Sequence, residues 1–361
     1  MSDQAFMARA IQLAQKGLYT THPNPRVGCV IVQSGELVGD GFHALAGQGH
    51  AEVLALQQAG DRARGATVYV TLEPCSHHGR TPPCADALIK AGVSRVVVAM
   101  QDPNPRVAGE GIRRLREAGI QVDVGVLEQS ARALNPGFIK RMETDLPWLR
   151  VKLAMSLDGR TAMASGESAW ITGPEARADV QKLRARASAV LSGSETVLQD
   201  NPSLNLRLTA AELGIETEPR QPMRVILDTS LRVPRDARLF SLPGEVVVIT
   251  SSTVPDDYPA RVVQLGSREG RVNLTAALQW LAQQEINEVH VEAGATLSGT
   301  LMAEGLVDEL VVYMAPHLMG DTGKGLLHLP GIQTMNQRLP LKINDIRAVG
   351  NDWRISASIE K

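Results

Sequence analysis

The sequence has few aromatic residues and no excess of basic charge. Only 3% of its 361 residues are aromatic, and the formal net charge is -2 at pH 7. A protein that binds long nucleic acids normally needs a basic surface and aromatic side chains on which bases can stack. We therefore expect a small-molecule substrate and no nucleic-acid partner.

The chain also lacks long apolar runs. No segment approaches the roughly 20 apolar residues of a membrane span. The N-terminal segment MSDQAFMARAIQLAQKG has no continuous apolar core of the kind found in signal peptides. These features predict a cytoplasmic protein without membrane association.

Cysteine is scarce, and its count is odd. The three cysteines are Cys29, Cys75 and Cys84. An odd number in a long chain without a signal peptide argues against a disulfide framework and favours metal binding or catalysis. Cys29 lies within the apolar run VGCVIV, so we interpret it as a core residue.

The first part of the chain alternates between helical and strand patterns. Its length exceeds what one hydrophobic core usually organises, so two domains are expected. After a predicted amphipathic helix over 3–16 come a hairpin, VGCVIV and ELVGDG, and further strands, TVYVTL, RVVVAM and IQVDVGV. Helices are predicted near 51–59, 83–91 and 110–118. This alternation predicts a layered α/β sandwich.

A polar stretch, roughly 128–147, is interpreted as a connector to a second α/β series. That series starts with the strand WLRVKLAM, ends with WRISASIE, and contains the strands MRVILD, EVVVIT, EVHVEA and DELVVYMAP. Helices are predicted near 174–187, 274–284 and 296–303. We place the boundary after residue 146, giving domains 1–146 and 147–361. The long loop over 199–222 is a candidate binding loop.

One group of residues in the first domain has the composition of a zinc site. His50, Cys75 and Cys84 offer one imidazole and two thiols, and three protein ligands leave one coordination position for water. Zinc lowers the pKa of such a water to roughly 7, which makes hydroxide available near neutral pH. Glu52 is the candidate that shuttles a proton from this water to the substrate ring and the departing amine.

The spacing of these residues constrains the local structure. Positions i and i+2 inside a helix point to different faces, so His50 and Glu52 can approach one metal only if His50 lies at a helix start. Pro74 suits a turn leading into a helix or a first helical turn. Backbone N–H groups there would favour the Cys75 thiolate.

The gap between the two cysteines leaves two interpretations open. Zinc deaminases of nucleobases carry H-x-E followed by P-C-x-x-C, whereas here the eight residues SHHGRTPP separate Cys75 from Cys84. A structural zinc closed by His77 or His78 as a fourth ligand is the alternative. Glu52 favours the catalytic interpretation, because a closed structural site needs no adjacent carboxylate.

The motifs H-A-E, E-P-C-S-H-H-G-R-T-P-P-C and H-P-N-P-x-V-G resemble the deaminase domain of the bifunctional riboflavin-biosynthesis deaminase/reductase family. The second half resembles the reductase domain of this family in V-K-L-A-M-S-L-D-G-R-T-A, S-G-E-S-A-W-I-T, T-V-L-x-D-N-P-x-L and V-E-A-G-A-T-L-S-G. The long cysteine gap is the family's own variant. The resemblance covers nearly the whole chain.

This resemblance implies a cytidine-deaminase-like three-layer α/β/α domain followed by a dihydrofolate-reductase-like α/β domain. It implies hydrolytic deamination of 2,5-diamino-6-(5-phosphoribosylamino)pyrimidin-4-one. NADPH would then reduce the ribosyl side chain of the product, 5-amino-6-(5-phosphoribosylamino)uracil, to ribityl. The implied cofactors are Zn²⁺ and NADPH, and we also expect a homo-oligomer, either a dimer or larger.

The resemblance also implies residue roles. Asn24, His77 and Arg80 would contact the deaminase substrate. The residues that would line the NADPH site are Ala154, Trp170, Thr196, Asp200, Thr229, Gly294, Ala295, Thr296, Leu297, Ser298, Gly299 and Thr300. Those that would face the ribose phosphate are Ser168, Arg184, Leu204, Arg207 and Glu292.

The local sequence supports part of the predicted reductase site. The segment 294–300 directly follows the strand EVHVEA and opens a predicted helix, where backbone N–H groups can bind a phosphate. Small residues that let a helix pack closely would give the same pattern. Hydride transfer also needs a proton source, and Lys152 and Asp200 are both candidates that the sequence does not rank.

Two competing hypotheses remain at this stage. A cytidine-type or transfer-RNA-type zinc deaminase with a nucleotide-binding module would use the same metal ligands and glutamate. A zinc-stabilised scaffold whose second half binds a nucleotide would have no catalytic need for Glu52. The charge balance and the scarcity of aromatic residues argue against the first.

Overall fold

The computed structural model describes residues 2–76, 83–105 and 107–360. The chain divides into two compact units, Met1–Asp145 and Leu146–Lys361. The boundary predicted after residue 146 lies one residue from this division. Among the described residues, no helix is both long enough and apolar enough to cross a membrane.

The first unit is a five-stranded sheet between two layers of helices. Its elements are α1 (Asp3–Gln15), β1 (Gly28–Gln33), β2 (Glu36–Phe42), α2 (Ala51–Ala59), β3 (Thr67–Val70), α3 (Cys84–Ala91), β4 (Arg95–Val98), α4 (Glu110–Glu117), β5 (Gln121–Val124), α5 (Glu128–Leu134) and α6 (Pro136–Thr144). The strand order is β2-β1-β3-β4-β5. β1 is antiparallel to β2 and β3, whereas β3, β4 and β5 are parallel.

Alternation along each strand builds two cores. Cys29 and Ile31 of β1 face a core that includes Ala55 of α2 and Leu88 of α3. The intervening Val30 and Val32 face a second core formed with α1, α5 and α6. Successive strand side chains point to opposite sides of a sheet, so this pattern produces the three-layer α/β/α arrangement that the sequence predicted, with Cys29 in the core.

The polar stretch interpreted as a connector is instead mostly helical. It forms α5 and α6, which meet at Asn135 and Pro136. Ala131, Leu134 and Ile139 are buried in the core that α1 also covers. These short helices are held by a few buried apolar side chains only. Because most of their residues are polar, the composition wrongly indicated a connector.

The second unit is built on a nine-stranded sheet. Its elements are β6 (Trp148–Ser156), β7 (Arg160–Ala162), α7 (Pro174–Arg186), β8 (Ala189–Gly193), α8 (Ser194–Asp200), α9 (Ala210–Leu213), β9 (Met223–Leu227), β10 (Val246–Thr250), β11 (Arg261–Gln264), β12 (Ser267–Arg268), β13 (Arg271–Val272), α10 (Leu274–Gln283), β14 (Glu288–Glu292), α11 (Ala295–Ala303), β15 (Glu309–Ala315), β16 (Lys324–Gly325), β17 (Leu341–Val349) and β18 (Asp352–Ile359). The order in the large sheet is β11-β10-β9-β8-β14-β6-β15-β18-β17.

Most of this large sheet is parallel. The first seven strands in this order, from β11 through to β15, all run in one direction. At the other edge β18 is antiparallel to β15, and β17 is antiparallel to β18. Ligands of open parallel sheets bind at the carboxyl ends of the strands. Glu292, the last residue of β14, lies at that side of the sheet, and α8, which ends at Asp200, begins there directly after β8.

Candidate zinc centre and reductase site

The three predicted zinc ligands lie together in the first unit. The ligand atoms of His50, Cys75 and Cys84 are all within 4.8 Å of one another. The His50 Nδ1 atom lies 3.2 Å from Cys84 Sγ and 3.6 Å from Cys75 Sγ. In a tetrahedral zinc site the usual bond lengths place a nitrogen and a sulfur ligand about 3.6 Å apart. The donor set and its spacing therefore fit one zinc ion.

Two helix starts position this donor set. His50 is the N-cap of α2, with the extended backbone angles of a residue just outside the helix, so the predicted position of His50 is confirmed. Cys84 is the first residue of α3. Its backbone N–H donates to Cys75 Sγ at 3.3 Å.

Of the two possibilities predicted for Pro74, a turn leading into a helix and a first helical turn, the second is wrong. Pro74 and Cys75 do not open a helix; they lie in irregular chain after β3, and the helix begins only at Cys84. The backbone N–H that Cys75 receives therefore comes from the first turn of α3 rather than from a helix of its own. The hydrogen bond from the Cys84 thiol lowers the pKa of Cys75 to about 4, helped by contacts with His50 and the Cys84 N–H.

Glu52 lies in the first turn of α2 and is buried, with 3% of its surface exposed. Burial raises the pKa of its carboxyl to about 7, and the nearby Cys75 raises it further. The nearby His50 and Cys84 act in the opposite direction and lower this pKa in part. A carboxyl beside the donor set with a pKa near neutrality can both accept and release a proton.

Asn24 reaches the site through a histidine that the sequence interpretation missed. Asn24 Nδ2 lies 3.0 Å from His43 Nε2, and His43 Nδ1 lies 3.2 Å from the Gly49 carbonyl oxygen. Since that oxygen can only accept, Nδ1 carries the hydrogen and the neutral ring accepts from Asn24 at Nε2. The His43 ring also meets the His50 ring edge to face, with centroids 5.4 Å apart. Nothing in the local sequence of His43 marks this role.

Glu73, the first residue of the motif E-P-C, has a supporting role that the sequence did not predict. Its carboxylate is buried and accepts four backbone N–H groups, from Asp102, Gly109, Gly111 and Ile112, at 2.9–3.1 Å. Glu73 thereby fixes the turn that leads to Cys75 against the start of α4. The predictions for His77 and Arg80, and the alternative with His77 or His78 as a fourth ligand, fall in 77–82, outside the described residues.

In the second unit, Arg184 and Glu292 form a buried ion pair. Arg184 Nε and Nη2 donate to the two Glu292 oxygens at 2.5 and 2.9 Å, and Arg184 Nη1 donates to the Asn205 carbonyl at 2.8 Å. Burial acts to raise the pKa of Glu292, but Arg184 outweighs it and holds that pKa well below its usual range. The Arg184 guanidinium is thus bonded to Glu292 and Asn205 within the same unit, whereas Arg207 is exposed.

The two candidate proton donors have different surroundings. Lys152 is opposite Glu292 in the register of β6 and β14, and its Nζ lies 5.9 Å from the centre of the Tyr313 ring. Burial lowers the pKa of Lys152, and Arg184 acts in the same direction. Asp200 is exposed at the end of α8.

The N-terminus of α11 provides a place for a phosphate. Gly294 is the N-cap, has no side-chain cap hydrogen bond and is exposed, and a Cβ there would meet nothing within 4 Å. The backbone N–H groups of the following turn therefore fit an anionic group such as the NADPH pyrophosphate. Farther along, Ser298 donates to the Ala293 carbonyl at 3.3 Å. Gly299 packs on His328, whose carbonyl oxygen lies 2.1 Å from where a Cβ would be.

The other predicted reductase residues occupy several elements of the same unit. Trp170 is 76% exposed and stacks on Arg177 at 4.7 Å. Thr229 follows β9, and its hydroxyl accepts from the Val272 N–H at 3.3 Å. Ala154 lies in β6, Thr196 in α8, Ser168 in the chain between β7 and α7, and Leu204 in the loop after α8.

Two domain families match successive parts of the chain. The cytidine and deoxycytidylate deaminase zinc-binding region matches residues 1–100, and the RibD C-terminal domain matches residues 147–355. With the donor set above, this defines a zinc deaminase followed by a reductase.

Full-length relatives are similar throughout. The riboflavin biosynthesis protein RibD of Escherichia coli K12 is 51% identical, and the alignment covers 98% of each chain. RibD of Haemophilus influenzae is 50% identical, with 98% of this chain and 96% of the relative covered. The chain therefore belongs to the RibD family of bifunctional deaminase/reductases of riboflavin biosynthesis, whose cofactors are Zn²⁺ and NADPH.

Solved structures agree with this assignment. RibD of Acinetobacter baumannii is 46% identical and superposes with a TM-score of 0.92 over 99% of both chains. A diaminohydroxyphosphoribosylaminopyrimidine deaminase/5-amino-6-(5-phosphoribosylamino)uracil reductase of Thermotoga maritima is 34% identical, with a TM-score of 0.86 over 99% of both chains. The predicted fold, a cytidine-deaminase-like domain followed by a reductase domain, is confirmed.

Proposed function

We propose that this enzyme converts 2,5-diamino-6-(5-phosphoribosylamino)pyrimidin-4-one in two steps, with residues 1–146 as the deaminase domain and 147–361 as the reductase domain. The observation that carries the proposal is the cluster of His50, Cys75 and Cys84 beside the buried carboxyl of Glu52. The substrate is that of the Thermotoga maritima relative, which is similar along nearly its whole length.

In the first step, water replaces the 2-amino group of the pyrimidine and ammonia leaves. Zinc held by His50, Cys75 and Cys84 would supply Lewis acidity that lowers the pKa of water. Glu52 accepts one proton from the attacking water and delivers it to the ring nitrogen. It then accepts the second proton, from the hydroxyl now on the ring carbon, and delivers it to the amine, so that the C–N bond breaks, ammonia leaves and a carbonyl forms. The Glu52 pKa near 7 suits both transfers. Asn24, held by His43, contacts the ring, and His77 and Arg80 complete the substrate contacts.

In the second step, the ribosyl side chain of 5-amino-6-(5-phosphoribosylamino)uracil is reduced to ribityl. The residues predicted above, including the N-terminal turn of α11, would hold NADPH, which would supply the hydride. Lys152 and Asp200 are the proton donors to be compared, and the burial that lowers the pKa of Lys152 favours proton release from it. Arg207 contacts the ribose phosphate, and Ser168, Leu204, Arg184 and Glu292 complete that site.

The test follows ammonia and NADPH together in one reaction. Wild-type protein should release ammonia from the diaminopyrimidine phosphate and then oxidise NADPH. Glu52→Ala should lose deamination by about 10²–10⁴-fold, retain zinc, and still oxidise NADPH when 5-amino-6-(5-phosphoribosylamino)uracil is supplied. Glu36→Ala, at an exposed glutamate of β2, is the matched control. Ammonia released from cytidine or RNA but not from the diaminopyrimidine would disprove the substrate assignment.

We further propose a cytoplasmic homo-oligomer without a nucleic-acid partner. The support for self-association is an apolar sheet edge, where Leu341, Ile343 and Ile346 of β17 are 42–57% exposed and Trp353 of β18 is 45% exposed. Light scattering on the eluting protein should give the mass of a dimer or larger. Ile343→Glu combined with Ile346→Glu should reduce that mass, and a wild-type monomer would refute self-association.

A further inference from the structure

Three consecutive residues of one loop in the second unit are each held by a side chain from elsewhere. The Asn205 carbonyl accepts from Arg184 Nη1 at 2.8 Å. Leu206 is held twice, because its N–H donates to Gln221 Oε1 and its carbonyl accepts from Gln221 Nε2, both at 2.9 Å. The Arg207 N–H donates to Gln181 Oε1 at 2.9 Å.

This loop has no regular secondary structure of its own. It connects α8 to α9, and two of its non-glycine residues, Asn201 and Leu204, have positive φ angles of 40° and 51°. Such a backbone persists only when its surroundings specify it. Gln221 pairs with Leu206 as a neighbouring strand would, and Gln181, 5% exposed, reaches Arg207 from α7. The two carboxamides therefore replace the missing sheet and helix hydrogen bonds.

The residues of the loop that precede Arg207, 203–206, are buried or half-buried, and Arg207 itself is exposed. Leu204 and Leu206 are 2% and 3% exposed, whereas Arg207 is exposed and donates to the Ser203 hydroxyl at 3.2 Å. Of the two arginines predicted to face the ribose phosphate, Arg184 is neutralised by Glu292. Arg207 is therefore the one whose guanidinium is available to a phosphate. Guanidinium recognition of phosphate depends on the direction of its N–H groups, and that direction depends on where the Arg207 backbone is held.

We propose that Gln181 and Gln221 are positioning residues for the recognition of the substrate phosphate in the reductase step. The inference rests on the proposed function, in which Arg207 contacts that phosphate. Neither glutamine touches the substrate. Each fixes the loop backbone so that Arg207 meets the phosphate in one orientation. Because both are neutral, they do this without placing a competing anion beside the site.

The experiment compares two substrates, 5-amino-6-(5-phosphoribosylamino)uracil and its dephosphorylated form, by NADPH oxidation. Gln181→Met and Gln221→Met retain side-chain length and remove the hydrogen bonds. Each should raise KM for the phosphorylated substrate about tenfold, change kcat little, and leave KM for the dephosphorylated substrate unchanged. Gln283→Met, at an exposed glutamine of α10, is the matched control, and NADPH affinity shows that the unit is folded.

A double-mutant cycle separates this inference from the proposed function. Arg207→Ala should raise KM for the phosphorylated substrate, and adding Gln181→Met to it should cause no further rise, because the residue being positioned is gone. If Arg207→Ala leaves KM unchanged, the phosphate site itself is misassigned. If Arg207→Ala raises KM but the glutamine variants do not, or if they raise KM equally for both substrates, the positioning role is overturned and the phosphate site stands.

Discussion

The Glu73 carboxylate accepts the backbone N–H of Gly111 at 2.9 Å. Gly111 is also in close contact with the next residue of the E-P-C motif, since a Cβ at Gly111 would lie 2.0 Å from the Pro74 carbonyl oxygen. The start of α4 and the turn before Cys75 therefore fit together through one hydrogen-bonded carboxylate and one missing side chain. The predicted zinc ligand Cys75 is thus placed by residues outside the donor set.

Glu73→Gln should weaken zinc binding. The amide would direct an N–H₂ group at backbone N–H donors and leave at least one of them unsatisfied in a buried position. Loss of a supporting partner typically lowers metal affinity by about 10–100-fold, and we expect a loss in that range, measured by competition with a chromophoric chelator. Glu110→Gln, at the half-buried first residue of the same helix, should leave zinc affinity unchanged. Equal affinity in Glu73→Gln and wild type would contradict the positioning of Cys75 by Glu73.

His43→Phe should impair deamination and spare reduction. The substitution keeps an aromatic ring in a buried position but removes the partners of Asn24 and of the Gly49 carbonyl. We expect kcat/KM for ammonia release to fall about tenfold, because losing one hydrogen bond costs about 1.4 kcal/mol, which corresponds to a factor of about ten. NADPH oxidation with pre-deaminated substrate is the internal control. His317→Phe, at an exposed histidine of the second unit, should leave ammonia release at the wild-type rate.

The cluster of predicted zinc ligands could be found from sequence because the chemistry of its residues is local and rare. Few residue types bind zinc, and the spacing of His50 and Glu52 requires a helix start, which α2 provides. The alternation of apolar residues likewise predicted β1 and β3 and the helices that cover them, since burial imposes a period on each element. The helix predicted near 83–91 is α3, but the sequence did not indicate that this helix supplies the N–H to Cys75.

The supporting residues could not be predicted in the same way. Gln181 and Gln221 are 40 positions apart in the sequence. Both bond to the same loop only because α7 and the chain before β9 approach that loop in the fold. A carboxamide bonded to a distant backbone group leaves no periodic signal. Likewise, α5 and α6 were missed because their buried residues are too few to outweigh a polar composition.

The stability that Asp158 contributes to the second unit should be lost in acid. Its carboxylate accepts from the Ser156 hydroxyl and from the N–H groups of Met319 and Gly320, which lower its pKa from 3.8 to about 2. A carboxyl whose pKa is lowered by folding contributes stability above its unfolded pKa and loses it as the pH falls. We expect this contribution to disappear between about pH 4 and pH 2. The melting temperatures of wild type and Asp158→Asn should differ at pH 6 and converge at pH 2, and a constant difference would contradict the assignment.

The same substitution should destabilise the second unit at Gly299 and have almost no effect at Gly294. A Cβ at Gly299 would lie 2.1 Å from the His328 carbonyl oxygen, which is backbone and cannot swing away, whereas a Cβ at Gly294 would meet nothing within 4 Å. Gly299→Ala should therefore destabilise the second unit by about 1–3 kcal/mol, the usual cost of overpacking. Gly294→Ala should leave the melting temperature within a degree or two, as expected for about 0.5 kcal/mol or less. Thermal unfolding of the two variants side by side tests the difference. Equal stability would mean that α11 can shift away from His328, and that Gly299 is not required for close packing there.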